Sequence, residues 1–357
     1  MIKKLFLIAF IFMLSLCVYG EEKSMAELNP EFETRLVNAL RTHNTEANEF
    51  KKNTPPLVLF HFSDVHGDEA ELNRYAKFLK KYDKYFDDAI CTGDLVAWNA
   101  GSGFGHWGRV KGAEKILFVS GNHDFVKDKP YWDWDDRLTK KEMFDTYYSK
   151  FIKNWNVTYE EGNTYYYKDY PEKKIRLIGL DCALKDEENE EQLSWFKGAL
   201  AGAKVRDLSV IVAYHYNPRN AVQIKCNFTD YDHYDEEGSL DDMTEYNKTV
   251  DEFINQGGKF IMWLTGHTHW EQFAYNKDFP KQLYYSIDAT SIGFCELYSN
   301  MSRIMGTRSQ DLANAMVVDT TKEELKIIRI GANETSSLVQ RNGITINYKT
   351  FEVISQF

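Results

Sequence analysis

From Pro55 onward the chain alternates apolar runs of strand length with amphipathic segments of helical spacing, and this alternation restricts it to a layered α/β architecture. The strand candidates are 57–62, 88–91, 115–119, 175–180, 208–214, 260–264, 283–287, 316–318 and 325–330. Residues 69–82, 139–152, 189–203 and 241–255 read as helices between them. Two of these open with capping signals, Thr139 with Glu142 and Asn189 with Gln192, whose side-chain oxygens can satisfy the free amides of a first turn. Asn342-Gly343, between extended β-branched segments, predicts a two-residue hairpin turn because both positions tolerate positive φ.

Around this domain, 55–330, the chain divides simply. Residues 5–18 are apolar apart from Ser15, follow Lys3 and Lys4, and fall short of the ~18 residues of a spanning helix. Residues 1–20 therefore read as a signal peptide cleaved after Gly20, with lipid attachment at Cys17 as the competing reading; Leu16 is bulky for the latter. The expected mature protein is exported, periplasmic or secreted, with no transmembrane segment. Residues 21–54 have helical spacing (Leu28, Leu36, Val37, Leu40) and a break at Pro30, which makes them a helical arm, and 331–357 form a β tail.

Of the 357 residues 43% are hydrophobic and 27% charged, a globular balance, and the net charge of −11 with no long basic run argues against nucleic acid as a partner. No C-x-x-C pair occurs, so the fold rests on its core. Cys91 and Cys182 lie in apolar strand-like runs as buried thiols, while pairing of Cys226 with Cys295 stays open. Asn156, Asn227 and Asn247 head N-x-S/T sequons, relevant only in a glycosylating host.

Polar clusters stand where the apolar strands end, the place where an α/β sandwich gathers its loops. They are 63–68 (Ser-Asp-Val-His-Gly-Asp), Gly93-Asp94, Gly121-Asn122-His123-Asp124, a lone His215, and Gly266-His267-Thr268-His269. Five of the nine histidines fall in these positions, which scatter would not produce. Asp64 and His66 are separated by one residue, as are His267 and His269, so on extended backbone each pair shares a face and can grip one site.

This ordered series resembles the signature of the calcineurin-like metallophosphoesterases over about 55–330, and five elements in the right order make the resemblance specific. It implies a four-layer αββα sandwich holding a dinuclear metal centre. By that likeness Asp64, His66 and His269 would hold one metal, Asn122, His215 and His267 the other, and Asp94 would bridge them. His123 would contact substrate and stabilise or protonate the leaving oxygen. The implied activity is hydrolysis of a small phosphorylated substrate, a phosphomonoester or phosphodiester, by a metal-bridging hydroxide. Four imidazoles, two carboxylates and one amide with no thiolate favour two divalent or trivalent transition-type ions, Mn, Fe or Zn foremost, over calcium. Ala97 stands where purple acid phosphatases of the same superfamily need a tyrosine, and no Asp-Arg-Gly follows Asp94 as in the protein phosphatases.

The chemistry justifies such a set. Two cations about 3.5–4 Å apart screen the charge of a phosphate ester and lower the pKa of water from about 15.7 to roughly 7, and a general acid adds about 10² to 10⁴ in rate. Other clustered residues have plainer roles: Asp68 reads as the N-cap of the helix at 69, and Asp124 either orients His123 or caps a turn. His43, His61, His106 and His233 read as structural or surface groups, with His106, in the loop after Asp94, the foremost exception. The aromatic loops at 98–107 and around Tyr131, Trp132 and Trp134 either stack on a substrate or pack the loops down, and 217–240 is an acidic insertion able to form a lid. A different class of function uses these loops in a non-catalytic, metal-containing binding protein for a glycan or surface partner.

Overall fold

A computed structural model describes residues 23–45, 54–96, 105, 107–125, 138–184, 186–218, 220–229, 243–287, 304–332 and 341–357. Among them run fifteen strands: β1 Leu57–Phe62, β2 Asp88–Cys91, β3 Leu117–Phe118, β4 Thr158–Tyr159, β5 Tyr166–Tyr170, β6 Ile175–Gly179, β7 Ser209–Ala213, β8 Ala221–Gln223, β9 Lys259–Thr265, β10 Gln272–Asn276, β11 Leu283–Ser286, β12 Leu312–Asp319, β13 Glu324–Gly331, β14 Gly343–Asn347 and β15 Val353–Gln356. They form a seven-stranded sheet ordered β15-β14-β13-β12-β1-β2-β3 and an eight-stranded sheet ordered β4-β5-β6-β7-β9-β11-β10-β8.

Each sheet has a parallel heart: β1-β2-β3 in the first and β6-β7-β9-β11 in the second. Several of these strands, such as Leu-Val-Leu-Phe-His-Phe of β1 and Ser-Val-Ile-Val-Ala of β7, are buried along their whole length. Such runs are apolar on both sides because each sheet is covered on both faces. On the outside, helix Phe32–Thr45 lies on β12 and β13, helix Asp186–Val205 on β7, and helix Thr244–Asn255 on β9. Helix Glu69–Tyr82 is tied to the first sheet by Tyr75, whose hydroxyl donates to the Leu312 carbonyl at 2.8 Å, and by the Arg74–Asp311 ion pair. On the inside the sheets face one another, with the His61 ring of β1 6.0 Å from that of Tyr285 in β11. The result is the expected αββα sandwich.

The arm breaks where Pro30 predicts. Ser24 caps Met25–Leu28, and the following helix anchors through Phe32, whose ring lies 5.0 Å from Phe78 and 5.2 Å from Tyr82. Asp68 accepts the Glu71 amide as an N-cap, and Thr139 with Glu142 forms the reciprocal capping box.

Two local expectations fail, and a third is met with a change of pitch. The helix over 139–152 runs as α-helix at Lys140–Met143, widens into a π-helix at Phe144–Tyr148 and returns to α-helix at Ser149–Phe151. Asn189 is no N-cap: its helix begins at Asp186, where Asp186, Glu187 and Glu188 suit the positive helix end. Its side chain instead accepts from the Tyr246 hydroxyl at 2.6 Å, and Gln192 turns inward to the Asp181 backbone. Asn342-Gly343 is not a turn but the start of β14, its amides donating to the Phe357 carbonyl at 2.8 and 2.9 Å. The tail's tight connection lies at 348–352, where Asn347 Oδ1 accepts the amides of Lys349 and Thr350.

Candidate metal centre

The C-terminal ends of β1, β2, β3, β7 and β9 reach one rim of the sandwich, and each is followed by one of the polar clusters. The backbone there is not extended, as the one-residue spacing suggested. Asp64, His66, Asp94, His267 and His269 have φ between 49° and 70°, all in the left-handed region that costs side chains roughly 1–2 kcal/mol each. Such strain persists only where surroundings over-determine it. Here the loops lace together: Asp64 N donates to Gly93 O at 2.9 Å, His66 N to Asp94 O at 2.9 Å, and Gly67 N to Leu95 O at 2.8 Å.

The side chains converge into three overlapping groups whose ligand atoms lie within 4.8 Å of one another: Asp64, His66 and His269; Asp94, His215 and His267; and His66, Asp94 and His123. In the first, Nε2 of His66 and His269 stand 3.8 and 3.4 Å from Asp64 Oδ1. In the second, His215 Nε2 is 3.2 Å from Asp94 Oδ2. His215 Nδ1–H donates to the Thr92 carbonyl at 2.8 Å, which fixes the ring and directs Nε2 inward. His123 Nε2 is 3.9 Å from Asp94 Oδ2, and its backbone amide donates to Asp94 Oδ1 at 2.9 Å.

The donor set fits a cation pair on the structure's own terms. Asn122 Oδ1 is buried without a hydrogen-bond partner, a costly state for an amide oxygen unless a cation takes the lone pairs. Burial drives the His66 and His267 imidazoles down to about 3, leaving them neutral and able to ligate at neutral pH. Burial also opposes ionisation of Asp64, yet a hydrogen bond from His269 and the nearby His215 hold it at about 2. Asp94 likewise sits well below the usual carboxylate range, burial being outweighed by His215 and His123. His215 is driven down by burial but lifted overall to about 9 by Asp94, so its proton and a cation compete for the same place.

Supporting residues that sequence reading left open or missed lie beneath the rim. Asp124 does not orient His123; it accepts the amides of Asp94 (3.0 Å), Val96 (3.1 Å) and Gly121 (2.7 Å), tying two loops together. His61 is structural as expected, hydrogen-bonded to Thr92 Oγ1 at 2.9 Å, and Thr92 gives its own proton to the Thr265 carbonyl across the sandwich. Asn217, part of the proposed lid, is buried and bonds Gly266 O at 3.0 Å. Only its polarity next to His215 hinted at this.

The rest of that insertion gives β8, which pairs with β10 at the sheet edge, while 230–242 lie outside the described residues. Of the aromatic loops Trp107 is core, packed on Phe118 at 5.7 Å, while Trp98, Tyr131, Trp132 and Trp134 lie outside the described residues. So do His106, His233, the Cys17 region and Cys295, as does the side chain of His43. Cys91, Cys182 and Cys226 are buried. Asn247 is buried and engaged with Tyr284, which removes it as a glycan acceptor. No helix among the described residues is long and apolar enough to cross a membrane.

A dimetal phosphatase from Danio rerio shares the fold at 11% identity, covering 83% of this chain and 100% of its own, with a TM-score of 0.52. TT1561 of Thermus thermophilus matches at 12% identity over 77% of this chain and 99% of its own (TM-score 0.39). GAP50, the anchor in the inner membrane complex of Plasmodium, matches at 12% over 85% and 88% (TM-score 0.39). No curated protein matches. The family match spans residues 57–271, more than half of the chain and every cluster on the rim. The chain belongs to the calcineurin-like phosphoesterase family.

Proposed function

We propose that the protein is an exported, dinuclear metal-dependent phosphoesterase acting on a small phosphomonoester or phosphodiester. The observation that carries this reading is the convergence of Asp64, His66 and His269 beside Asp94, His215 and His267 at the end of four strands. Asp64, His66 and His269 would hold one cation and Asn122, His215 and His267 the other, with Asp94 between them. When bound, the cation pair supplies Lewis acidity toward the phosphoryl oxygens and an acidified water as nucleophile.

The chain's own residues do the remainder. His123, a partly accessible imidazole on the rim next to His66 and Asp94, contacts the departing oxygen and supplies its proton. Asp94 places His123 through the 2.9 Å bond from its backbone amide, so ligand and acid are fixed by one carboxylate. Asp124 holds both loops in that register. Export is supported by the apolar stretch 5–18 behind Lys3 and Lys4.

The test is hydrolysis of chromogenic phosphomonoesters and diesters with Mn or Zn added. Turnover that needs the metal supports the reading. Silence across metals and pH would favour the non-catalytic binder.

A further inference from the structure

We propose that Asn217 is a positioning residue that aims His267 at its cation; the inference rests on the dinuclear reading above. His267 has a φ of 70°, and Thr268 N donates to Gly266 O at 2.8 Å, closing a three-residue γ-turn around it. With positive φ this is the strained hand of that turn. Left to itself the segment would relax to negative φ and carry the imidazole away from Asp94 and His215.

The Gly266 peptide is clamped on both sides. Its N–H donates to the His215 carbonyl at 3.0 Å. Its carbonyl accepts Asn217 Nδ2 at 3.0 Å and Ser286 Oγ at 3.1 Å, besides the turn's own bond. The other side of His267 is held as well, its amide lying 3.1 Å from Asp64 Oδ2.

Asn217 cannot turn its amide over. The Gly266 carbonyl can only accept, so nitrogen must face it and oxygen must face Thr265, whose hydroxyl donates to Asn217 Oδ1 at 2.6 Å. Asn217 stands two residues beyond His215, and the bond therefore locks the loop carrying one ligand to the loop carrying the other. It acts through Gly266 and touches no group of the metal cluster itself. Outer contacts of this kind are worth about 10- to 100-fold in metal affinity.

The experiment is a Co(II) titration of the full chain, followed by visible absorbance and by calorimetry, with circular dichroism as a check on folding. Wild type takes two equivalents. In Asn217→Leu one equivalent is weakened at least about tenfold while the other stays within about threefold, a site-selective loss that a general loosening would not give. Ser286→Ala, which removes a single donor to Gly266 O, gives a smaller weakening of the same equivalent. Two equivalents of unchanged affinity in Asn217→Leu and Ser286→Ala overturn the positioning role alone, as does equal weakening of both. Wild type that binds no Co(II) overturns the dinuclear reading and this inference with it.

Discussion

His66 Nε2 and His269 Nε2 lie 3.0 Å apart although 203 residues separate them in the chain. Both face Asp64 Oδ1, at 3.8 and 3.4 Å, so three polar atoms crowd a space that either a ring proton or a cation must bridge. A cation there would take all three as ligands.

Metal should therefore stabilise the protein markedly. At one hundred times its dissociation constant, each bound cation adds about 2.7 kcal/mol. Thermal melts with Mn or Zn against melts with a chelator should differ by several degrees. Identical melting curves would speak against ligation by this cluster.

The close approach of Gly121 to Asp94 gives a sharper test. A Cβ on Gly121 would collide with the Asp94 carboxylate and its backbone nitrogen. Gly121→Ala should lose metal and activity together. Gly198→Ala, within helix Asp186–Val205 where nothing lies within 4 Å, should leave both intact and raise stability by up to about 1 kcal/mol. Equal behaviour of the two variants would show that the Asp94 loop does not need its geometry.

His123→Ala separates ligation from proton transfer. Metal content should match wild type while kcat falls about 10² to 10⁴-fold. Full turnover in this variant would remove His123 from the chemistry.

Asp181, buried just beyond β6, predicts a pH dependence of stability. Burial raises its carboxyl from 3.8 to about 7, so the folded state holds a proton that the unfolded chain has released. Its contribution is greatest below about pH 3.8 and is lost as pH rises through about 7. Between pH 5 and 8 wild type should lose about 1–3 kcal/mol relative to Asp181→Asn, measured by urea unfolding. Parallel profiles for the two proteins would show that Asp181 titrates normally.

The parts of this architecture legible in the sequence were those where one physical term dominates. β1 and β2 coincide with the expected runs because both faces are apolar. β5 (Tyr-Tyr-Lys-Asp-Tyr) and β10 (Gln-Phe-Ala-Tyr-Asn) escaped notice because their polar residues find partners in the fold, as Lys168 and Tyr170 do at Asp88. The rim clusters were legible through residue type and order. Their left-handed backbone was not, since Asp64 and His267 adopt it only under hydrogen bonds from loops distant in sequence. The same holds for Asn217, whose role depends on the Gly266 carbonyl 49 residues away.

The most direct measurement is elemental analysis of the purified chain and of Asp94→Ala after incubation with Mn and Zn. The account predicts two transition-metal equivalents per wild-type chain, and at most one, with no phosphoesterase activity, for the variant. A wild-type chain that stays free of metal, or an Asp94→Ala chain that keeps two equivalents, would contradict it.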